Sequence, residues 1–312
     1  MISICMATFN GEKYIAEQLQ SIYEQTLKAD EVIICDDAST DETVEIAQRF
    51  IRHNKLENKW KVYRNDENKG YPGNFYYAMS LCSGDIVFLA DQDDIWNKHK
   101  IELMADILKE REDIKVLACK YGLIDTTGDD IHTLMSPVKS YESGQLKEVL
   151  LPDIFYKYEF PGMVLAYRRE WYEGRQMDST SIPHDYLICA MAAEENALVQ
   201  FDCELAYHRR HSNNVGKEEH RLRKLLNKQR KLKEISEYIK ILQALKEEHC
   251  LKAPEAQRQL TEKLQSMEGR YQALRSGKRG RVLQNAIRNK EATRIATVIC
   301  DLLIVGQKYG DT

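Results

Sequence analysis

The chain has 312 residues, of which 43% are hydrophobic and 30% are charged, and its formal net charge is −4. This length and composition exclude a short disulfide-dependent peptide and suit a soluble globular protein with one or two domains. No apolar run reaches the roughly 18 residues that a membrane-spanning helix needs, and eight cysteines occur without a Cys-x-x-Cys pair. We therefore expect reduced thiols and a cytoplasmic location, either free or at the inner face of the cell membrane.

Strand-like and helical segments alternate through the first third of the chain. Short apolar runs predict strands, and amphipathic runs predict the helices that follow them. The predicted strands are residues 2–7, 31–35, 60–64 and 85–90, and the predicted helices are residues 12–25, 42–51 and 74–82. The helix caps are expected to be Asn10, Ser39 or Thr40, and Asn74.

This alternation indicates an α/β fold with a mainly parallel sheet and flanking helices. In such sheets the functional loops gather at the carboxyl ends of the strands. Thr8, Asp37, Gly70 and Asp93 are therefore expected along one rim of the sheet.

Three carboxylates, Asp91, Asp93 and Asp94, follow the fourth predicted strand within four residues. Because like charges repel and resist desolvation, this cluster needs a metal ion, a basic partner or full exposure to water. Mg²⁺ or Mn²⁺ would bind one or two of these acids and complete its coordination with phosphate oxygens. An acidic turn that caps the helix predicted near Asn97 is the alternative.

Four short motifs occur in order in this α/β part. They are Ala7-Thr8-Phe9-Asn10, Cys35-Asp36-Asp37-Ala38-Ser39-Thr40-Asp41, Asn68-Lys69-Gly70 and Asp91-Gln92-Asp93-Asp94. In this order and spacing they resemble the nucleotide-sugar domain of family 2 glycosyltransferases, whose Rossmann-like fold is called GT-A. The resemblance covers residues 1–216 and implies a metal-dependent, inverting transfer of a sugar from a nucleoside diphosphate.

The resemblance implies a donor site with Asp37 at its centre. The carboxylate of Asp37 would accept a hydrogen bond from the ring N–H of a pyrimidine, and Gly70 would let the backbone approach the ligand. Stabilisation of a helix N-terminus is the alternative role of Asp36 and Asp37. The implied donor-binding residues are Ala7, Thr8, Phe9, Asp37, Asn68, Gly70, Asp91 and Gln92.

The same resemblance implies a divalent cofactor, Mg²⁺ or Mn²⁺, held by Asp93 with Asp91 beside it. This ion would act as a Lewis acid on the diphosphate leaving group. His211 is either a further metal ligand or part of a His-rich helix end, and Arg209 or Arg210 is expected to meet the diphosphate.

The acceptor side is implied by the same family pattern, which assigns to it Asp94, Trp96, Gly162 and His184. The alternatives are that Asp94 supports the metal ligands without touching the metal, and that His184 only packs in the core. The segment around Gly162 resembles a strand that lines the acceptor in this family. A β-bulge explains this glycine equally well.

Asp185 is the predicted catalytic base. It opens an apolar helical run and follows Asp93 by 92 residues, close to the position of the family's base. An inverting transfer needs one carboxylate to take the proton from the attacking hydroxyl. A plain helix N-cap is the alternative role.

Three motifs together most resemble the bacterial rhamnosyltransferase-like branch, which uses dTDP-L-rhamnose to build cell-surface polysaccharide. They are Asp-Gln-Asp-Asp-Ile-Trp, His184-Asp185 and Tyr-x-x-x-His-x-x-Asn. A UDP-hexose donor is the alternative, because both nucleosides expose the same imide edge to Asp37. The expected partners are a dTDP- or UDP-sugar and a glycan or lipid-linked acceptor, without nucleic acid. A nucleotidyltransferase is less favoured, because residues 7–11 lack a glycine-rich, basic phosphate loop.

The carboxyl-terminal part differs in charge. Residues 217–290 contain 20 Lys and Arg, nine Glu and no Asp, which predicts a basic helical extension over 217–312 after a GT-A domain over 1–216. Its helices either pack on the catalytic domain, pair with another subunit in a homo-oligomer, or lie on an anionic membrane. A protein that binds nucleic acid or lipid through these helices is the competing function from another class.

Overall fold

A computed structural model describes residues 1–128, 144–156, 160–175, 181–210, 227–289 and 295–307. The chain divides into two compact units, one made of Met1–Ile154 with Tyr158–His211 and the other of Phe155–Lys157 with Ser212–Thr312. None of the described helices is long and apolar enough to cross a membrane.

Strands and helices alternate at the start of the first unit, as the sequence predicts. The strands are β1 (Ile2–Thr8), β2 (Glu31–Asp36), β3 (Trp60–Arg64) and β4 (Ile86–Asp91). The helices between them are α1 (Ile15–Tyr23), α2 (Thr43–His53) and α3 (Gly70–Ser80). Nearly all residues of β1 and β4 are buried, because parallel strands in the middle of a sheet are covered on both faces.

The rest of this unit is more irregular. It contains β5 (Ile95–Trp96), α4 (Lys100–Glu110), β6 (Val116–Ile124), β7 (Leu146–Glu148), α5 (Leu151–Tyr156), a 3₁₀ turn (Gly162–Val164), β8 (Leu165–Arg168), α6 (Arg169–Glu173), α7 (His184–Glu194) and β9 (Leu198–Arg209). The last two residues of α5 belong to the second unit. Helix α7 is buried over ten consecutive residues, which explains why its sequence is apolar on all sides.

One sheet collects the nine strands of the described residues, in the order β3-β2-β1-β4-β8-β6-β9-β5, with β7 beside β9. The pairs among β3, β2, β1 and β4 are parallel, as predicted. Strand β8 runs antiparallel between β4 and β6, and β5 and β7 run antiparallel to β9. The sheet as a whole is therefore mixed, and its parallel region is the part that carries the predicted donor motifs.

Two predicted helix caps have other roles. Asn10 does not cap α1; its side-chain oxygen accepts a hydrogen bond from the Thr40 amide at 2.9 Å. Asn74 lies inside α3, which starts four residues earlier than predicted, and its amide donates to the Cys35 carbonyl at 2.8 Å. Helix α3 can begin at Gly70 because the Asp37 carboxylate accepts the hydrogen bond of the Gly70 amide.

The predicted cap of α2 is also wrong. Neither Ser39 nor Thr40 caps this helix, which has Glu42 at its N-cap position without a side-chain cap. The carboxylate of Asp41 accepts from the amide of Thr43 instead, at 3.0 Å.

The second unit is helical among the residues that the structure describes. Its helices are α8 (Lys228–Glu247), α9 (Pro254–Arg275), α10 (Arg279–Arg288) and α11 (Ile295–Ile304). Helix α8 packs on α9, α9 on α10, and α10 on α11.

Candidate active site

The carboxyl ends of three parallel strands lie side by side and bring the predicted donor motifs together. In the sheet register, Thr8 at the end of β1 is opposite Asp36 at the end of β2. On the other side of β1, Ala7 is opposite Asp91 at the end of β4. Thr8, Asp37 and Asp91 therefore meet at one rim because adjacent parallel strands end at the same edge.

Asp36 is fully buried and stabilises the loop after β2. Its carboxylate accepts hydrogen bonds from the Thr8 hydroxyl at 3.0 Å, the Ser39 amide at 2.9 Å and the Ser39 hydroxyl at 2.5 Å. Because these protein groups occupy most of its acceptor positions, Asp36 holds the loop after β2 in place.

Asp37, which is 3% exposed, connects the end of β2 to the start of α3. Its carboxylate accepts hydrogen bonds from the Asn65 side chain and the Lys69 amide, both at 2.8 Å, and from the Gly70 amide at 2.9 Å. Sequence reasoning missed Asn65, because only the fold brings it next to Asp37.

The loop before α3 is a close turn. The Asn68 side chain donates to the Asp37 carbonyl at 3.2 Å and accepts from the Gly70 amide at 2.9 Å. Gly70 has a φ of 77°. This left-handed backbone conformation strains residues other than glycine. The loop thus presents backbone at the rim, as a phosphate or ribose cradle requires.

Gln92 joins the loop after β4 to the loop after β1. The Phe9 amide donates to the Gln92 side-chain oxygen at 2.9 Å, and the Gln92 amide group donates to the Phe9 carbonyl at 3.0 Å. The Phe9 ring is 47% exposed, so it offers an apolar wall at the rim while Gln92 fixes its backbone.

Asp94 is completely buried among groups from β9. Its Oδ1 atom accepts from the Arg209 amide at 3.1 Å and lies 3.0 Å from Nδ1 of His208. Burial raises the pKa of Asp94, and the His208 hydrogen bond opposes that rise. Burial alone would lower the pKa of His208, but the hydrogen bond and charge of Asp94 raise it instead.

Arg209 is buried and holds the acidic turn in place, which corrects the expectation that it meets the diphosphate. Its guanidinium donates to the Asp93 carbonyl at 2.9 Å and to the Glu17 carboxylate at 2.6 Å. It also lies over the Tyr14 ring, 4.8 Å from the ring centroid. Arg210, the alternative, is exposed.

Like charges oppose one another within the acidic cluster. Desolvation raises the pKa of Asp91 well above its ordinary value, and the charges of Asp94 and Asp93 raise it further. Within the described chain, the Oδ2 atom of Asp94 is buried without a hydrogen-bond partner. A cation at the cluster would relieve both the repulsion and the unmet acceptor.

These residues fit a hard divalent cation such as Mg²⁺ or Mn²⁺. Asp91 and Asp93 supply carboxylate oxygens, the ligands that these ions prefer. The residues that the structure describes contain no group of three His, Cys, Asp or Glu side chains arranged to hold a metal. Diphosphate and water oxygens would therefore have to complete the coordination, as is usual for Mg²⁺ at phosphate sites.

Trp96 and Lys100 form a buried pair behind the acidic turn. The Lys100 ammonium lies 3.5 Å from the centroid of the Trp96 ring and donates to the Met163 carbonyl. Burial lowers the pKa of Lys100 to about 8. Trp96 is 3% exposed, so the expectation that it contacts the acceptor is corrected, since its ring is part of the core.

Asp185 lies in the first turn of α7, after Pro183 at the N-cap position. One of its oxygens accepts from the Tyr186 amide at 2.8 Å. The Tyr71 hydroxyl is hydrogen-bonded to Asp185; desolvation and then the charge of Asp185 raise the pKa of Tyr71. The charge of Asp185 also contributes to the raised pKa of Asp91.

His184, which precedes Asp185 in α7, packs against Gly162. The His184 ring stacks on Phe75 with centroids 3.8 Å apart, and a Cβ atom added to Gly162 would come within 2.9 Å of His184 Nε2. Burial lowers the pKa of His184 to about 3, so its ring is neutral.

Asp94 and His184 are at most 1% exposed. Gly162 is also buried, within a 3₁₀ turn. The expectation that these three residues contact the acceptor is corrected, because burial keeps their side chains away from a ligand. Asp94 and His184 fit their alternative roles, as a supporting group and as a packing residue. The predicted ligand His211 lies outside the described residues.

The class of nucleotide-sugar glycosyltransferases with a GT-A fold has three features that this structure also has. They are a parallel region of four strands, acidic residues at the strand ends and a carboxylate in the first turn of a core helix. The family model "Glycosyl transferase family 2" matches residues 3–176, more than half of the chain, and the chain belongs to this family. The sequence-based prediction of family is confirmed.

Relatives of known name agree with this family. The putative glycosyltransferase EpsE of Bacillus subtilis is 30% identical over 127 residues, which cover 41% of this chain and 45% of EpsE. The dTDP-rhamnosyl transferase RfbG of Shigella flexneri is 37% identical over 108 residues, which cover 33% of this chain and 36% of RfbG. Each match spans less than half of the relative's length.

A crystal structure of Staphylococcus aureus TarS 1-349 in complex with UDP-GlcNAc has a similar fold. It superposes with a TM-score of 0.57 at 20% sequence identity, over 98% of this chain and 90% of that chain. This likeness confirms the predicted GT-A fold with its helical extension.

Proposed function

We propose that the protein is an inverting glycosyltransferase that moves L-rhamnose from dTDP-L-rhamnose to a hydroxyl of a growing cell-surface polysaccharide or lipid-linked glycan. The observation that carries the proposal is the meeting of three strand ends, with Asp37 and Asp91, at one rim. A UDP-hexose is the second candidate donor, favoured by the likeness to a fold relative that binds UDP-GlcNAc. The likeness to RfbG favours rhamnose.

Asp37 would recognise the pyrimidine base. A carboxylate has about four acceptor positions, and three hydrogen bonds from Asn65, Lys69 and Gly70 occupy part of them. One position remains for the imide N–H that uracil and thymine share. The same three bonds fix the carboxylate in one orientation, so it would be aligned before the donor binds.

The acidic turn would bind the diphosphate end of the donor. Asp93 and Asp91 would hold a divalent cation, which supplies Lewis-acid stabilisation of the departing diphosphate. Arg209 and His208 keep this turn against β9. Asp185 would take the proton of the acceptor hydroxyl as that oxygen attacks the anomeric carbon on the face opposite the diphosphate.

The donor is tested by incubating the protein with dTDP-L-rhamnose, UDP-glucose and UDP-N-acetylglucosamine, each with Mg²⁺, Mn²⁺ or EDTA, and measuring release of nucleoside diphosphate. We expect hydrolysis that needs the cation and is fastest with dTDP-L-rhamnose. Fastest release from a UDP-sugar would support the second candidate donor. Formation of pyrophosphate from a nucleoside triphosphate and a sugar phosphate, without donor hydrolysis, would contradict glycosyl transfer and support a nucleotidyltransferase.

Replacing Asp37 by alanine is expected to weaken UDP and dTDP binding by about 1.5 to 3 kcal/mol, the usual range for a hydrogen bond to a charged group. The free energy of unfolding is expected to fall by about 1 to 3 kcal/mol, because Asn65 and two backbone amides lose their acceptor. Calorimetry measures the first effect and urea unfolding the second.

Asn65→Ala is the matched control for this variant. It removes a donor to Asp37 and a hydrogen bond to Asn74 at 2.9 Å, but it leaves the Asp37 carboxylate in place. We expect a similar loss of stability with a smaller loss of nucleotide affinity. Equal losses of affinity in the two variants would mean that Asp37 only holds the loop.

A further inference from the structure

Two helices of the second unit carry rows of exposed apolar side chains. Leu283 and Ile287 are one turn apart on α10, and Ile295, Ile299 and Leu303 follow one another at single turns along α11. These five side chains are 46%, 76%, 79%, 54% and 63% exposed, in chain order. The row on α11 extends for about 12 Å, given the helical rise of about 1.5 Å per residue.

The other faces of these helices already pack within the unit. Val282 on α10 and Ile304 on α11 are buried. The carboxylate of Asp301 on α11 accepts two hydrogen bonds from the Arg270 guanidinium on α9, at 2.7 and 2.9 Å. Both helices are therefore anchored without the exposed rows, which are available to another surface.

The surroundings of the rows are basic. Residues 269–289 contain six Lys and Arg and neither Asp nor Glu. Lys278, Arg279, Arg281 and Arg288 in this segment are exposed. The one acid of α11, Asp301, is buried in its ion pair with Arg270. Within the described part of these two helices, no exposed acid offsets the positive charge.

Helix α8, which is also basic and amphipathic, does not offer such a surface. Its apolar residues Leu232, Ile235, Leu242 and Leu245 are buried. From the sequence, α8 is as good a candidate for membrane binding as the later helices. Packing within the unit leaves apolar rows exposed only on α10 and α11 among these described helices.

We propose that α10 and α11 form a docking surface for an anionic membrane, with the apolar rows entering the headgroup region and the basic side chains meeting lipid phosphates. Exposed apolar side chains flanked by Lys and Arg are what interfacial binding requires. A symmetric contact between two copies would bring like charges together without an acid to balance them. Nucleic acid would bind the basic groups but would leave the apolar rows without a partner.

The test measures co-sedimentation of the full chain with vesicles of phosphatidylcholine, alone or mixed with phosphatidylglycerol. We expect binding to the mixed vesicles that weakens as salt is raised. The double variant Ile287→Glu/Ile299→Glu and the double variant Arg281→Glu/Arg288→Glu are each expected to bind at least about tenfold more weakly. Leu150→Glu, which changes an apolar residue of the first unit that is 46% exposed, is the matched control and should bind as wild type does.

Three outcomes would overturn the proposal. The first is equal binding of the wild type to neutral and mixed vesicles, which needs no variant to interpret. The second is unchanged binding by both double variants. The third is a concentration-dependent dimer in sedimentation velocity that the isoleucine variant abolishes, without vesicle binding, which would make the rows an interface between copies. Donor hydrolysis is measured without vesicles, and we expect both double variants to keep it. A failure of membrane binding is therefore distinct from a failure of the proposed transfer reaction.

Discussion

Replacing Asp185 by asparagine is expected to slow sugar transfer by about 10² to 10⁴-fold, the usual contribution of general base catalysis. Binding of the donor and of a divalent cation is expected to persist, because asparagine removes a proton acceptor that acts only as the hydroxyl attacks. Transfer to an acceptor glycan is measured by the release of nucleoside diphosphate, and binding is measured by calorimetry.

The structure indicates that this variant will fold. Asp185 accepts a hydrogen bond from the Tyr186 amide through one oxygen, and an asparagine side chain keeps such an oxygen. Tyr71 also keeps an acceptor for its hydroxyl. The N-cap position belongs to Pro183, so the substitution does not remove a cap from α7. A loss of rate would then be a loss of chemistry.

Glu45→Gln is the matched control, because Glu45 is an exposed acid in the first turn of α2. It removes the same charge from a helix start without touching the rim, and its transfer rate should equal that of the wild type. A near wild-type rate for Asp185→Asn would show that Asp185 only stabilises the start of α7. The base would then be sought among other residues, including Glu159, which lies outside the described part of the chain.

The second large effect is expected at Asp93. Asp93→Ala should abolish cation-dependent donor binding and lower turnover by about 10³-fold or more, since metal stabilisation of a leaving group is worth several kcal/mol. The fold should persist, because Arg209 contacts the main-chain carbonyl of Asp93, which the substitution retains. Calorimetry with UDP or dTDP in the presence of Mn²⁺ or EDTA measures the effect.

Asp106→Ala is the control for Asp93. Asp106 is an exposed acid on α4, paired with Lys109 at 3.1 Å and without a place at the rim. Its variant should show the same gain in nucleotide affinity from Mn²⁺ as the wild type. Equal affinity of the wild type with Mn²⁺ and with EDTA would exclude the proposed metal–diphosphate site, whatever the Asp93 variant does.

Much of the parallel region of the sheet could be predicted from the sequence. The runs that became β1, β2 and β4 are apolar on both faces and end at Thr8, Asp36 and Asp91. Because neighbouring parallel strands end at one edge, the convergence of their terminal residues follows from the pattern alone. The later strands were less predictable, since β8 reverses direction between β4 and β6 through pairings distant in sequence.

Residues that support the site from a distance could not be predicted in the same way. Asn65 contacts Asp37 from 28 positions away, and His208 contacts Asp94 from 114 positions away. An asparagine or histidine outside a motif has no periodic signal. Only the folded chain brings these side chains within hydrogen-bond distance.

The sequence by itself determined the apolar runs, the acids at their ends and the basic character of the last third, because these properties belong to residues close together along the chain. The tertiary structure decided which acids are buried, as Asp94 is, and which apolar helix faces stay uncovered, as those of Ile287 and Ile299 do. Burial depends on what packs against a side chain from elsewhere in the fold. That information is distributed over the whole sequence and has no local pattern.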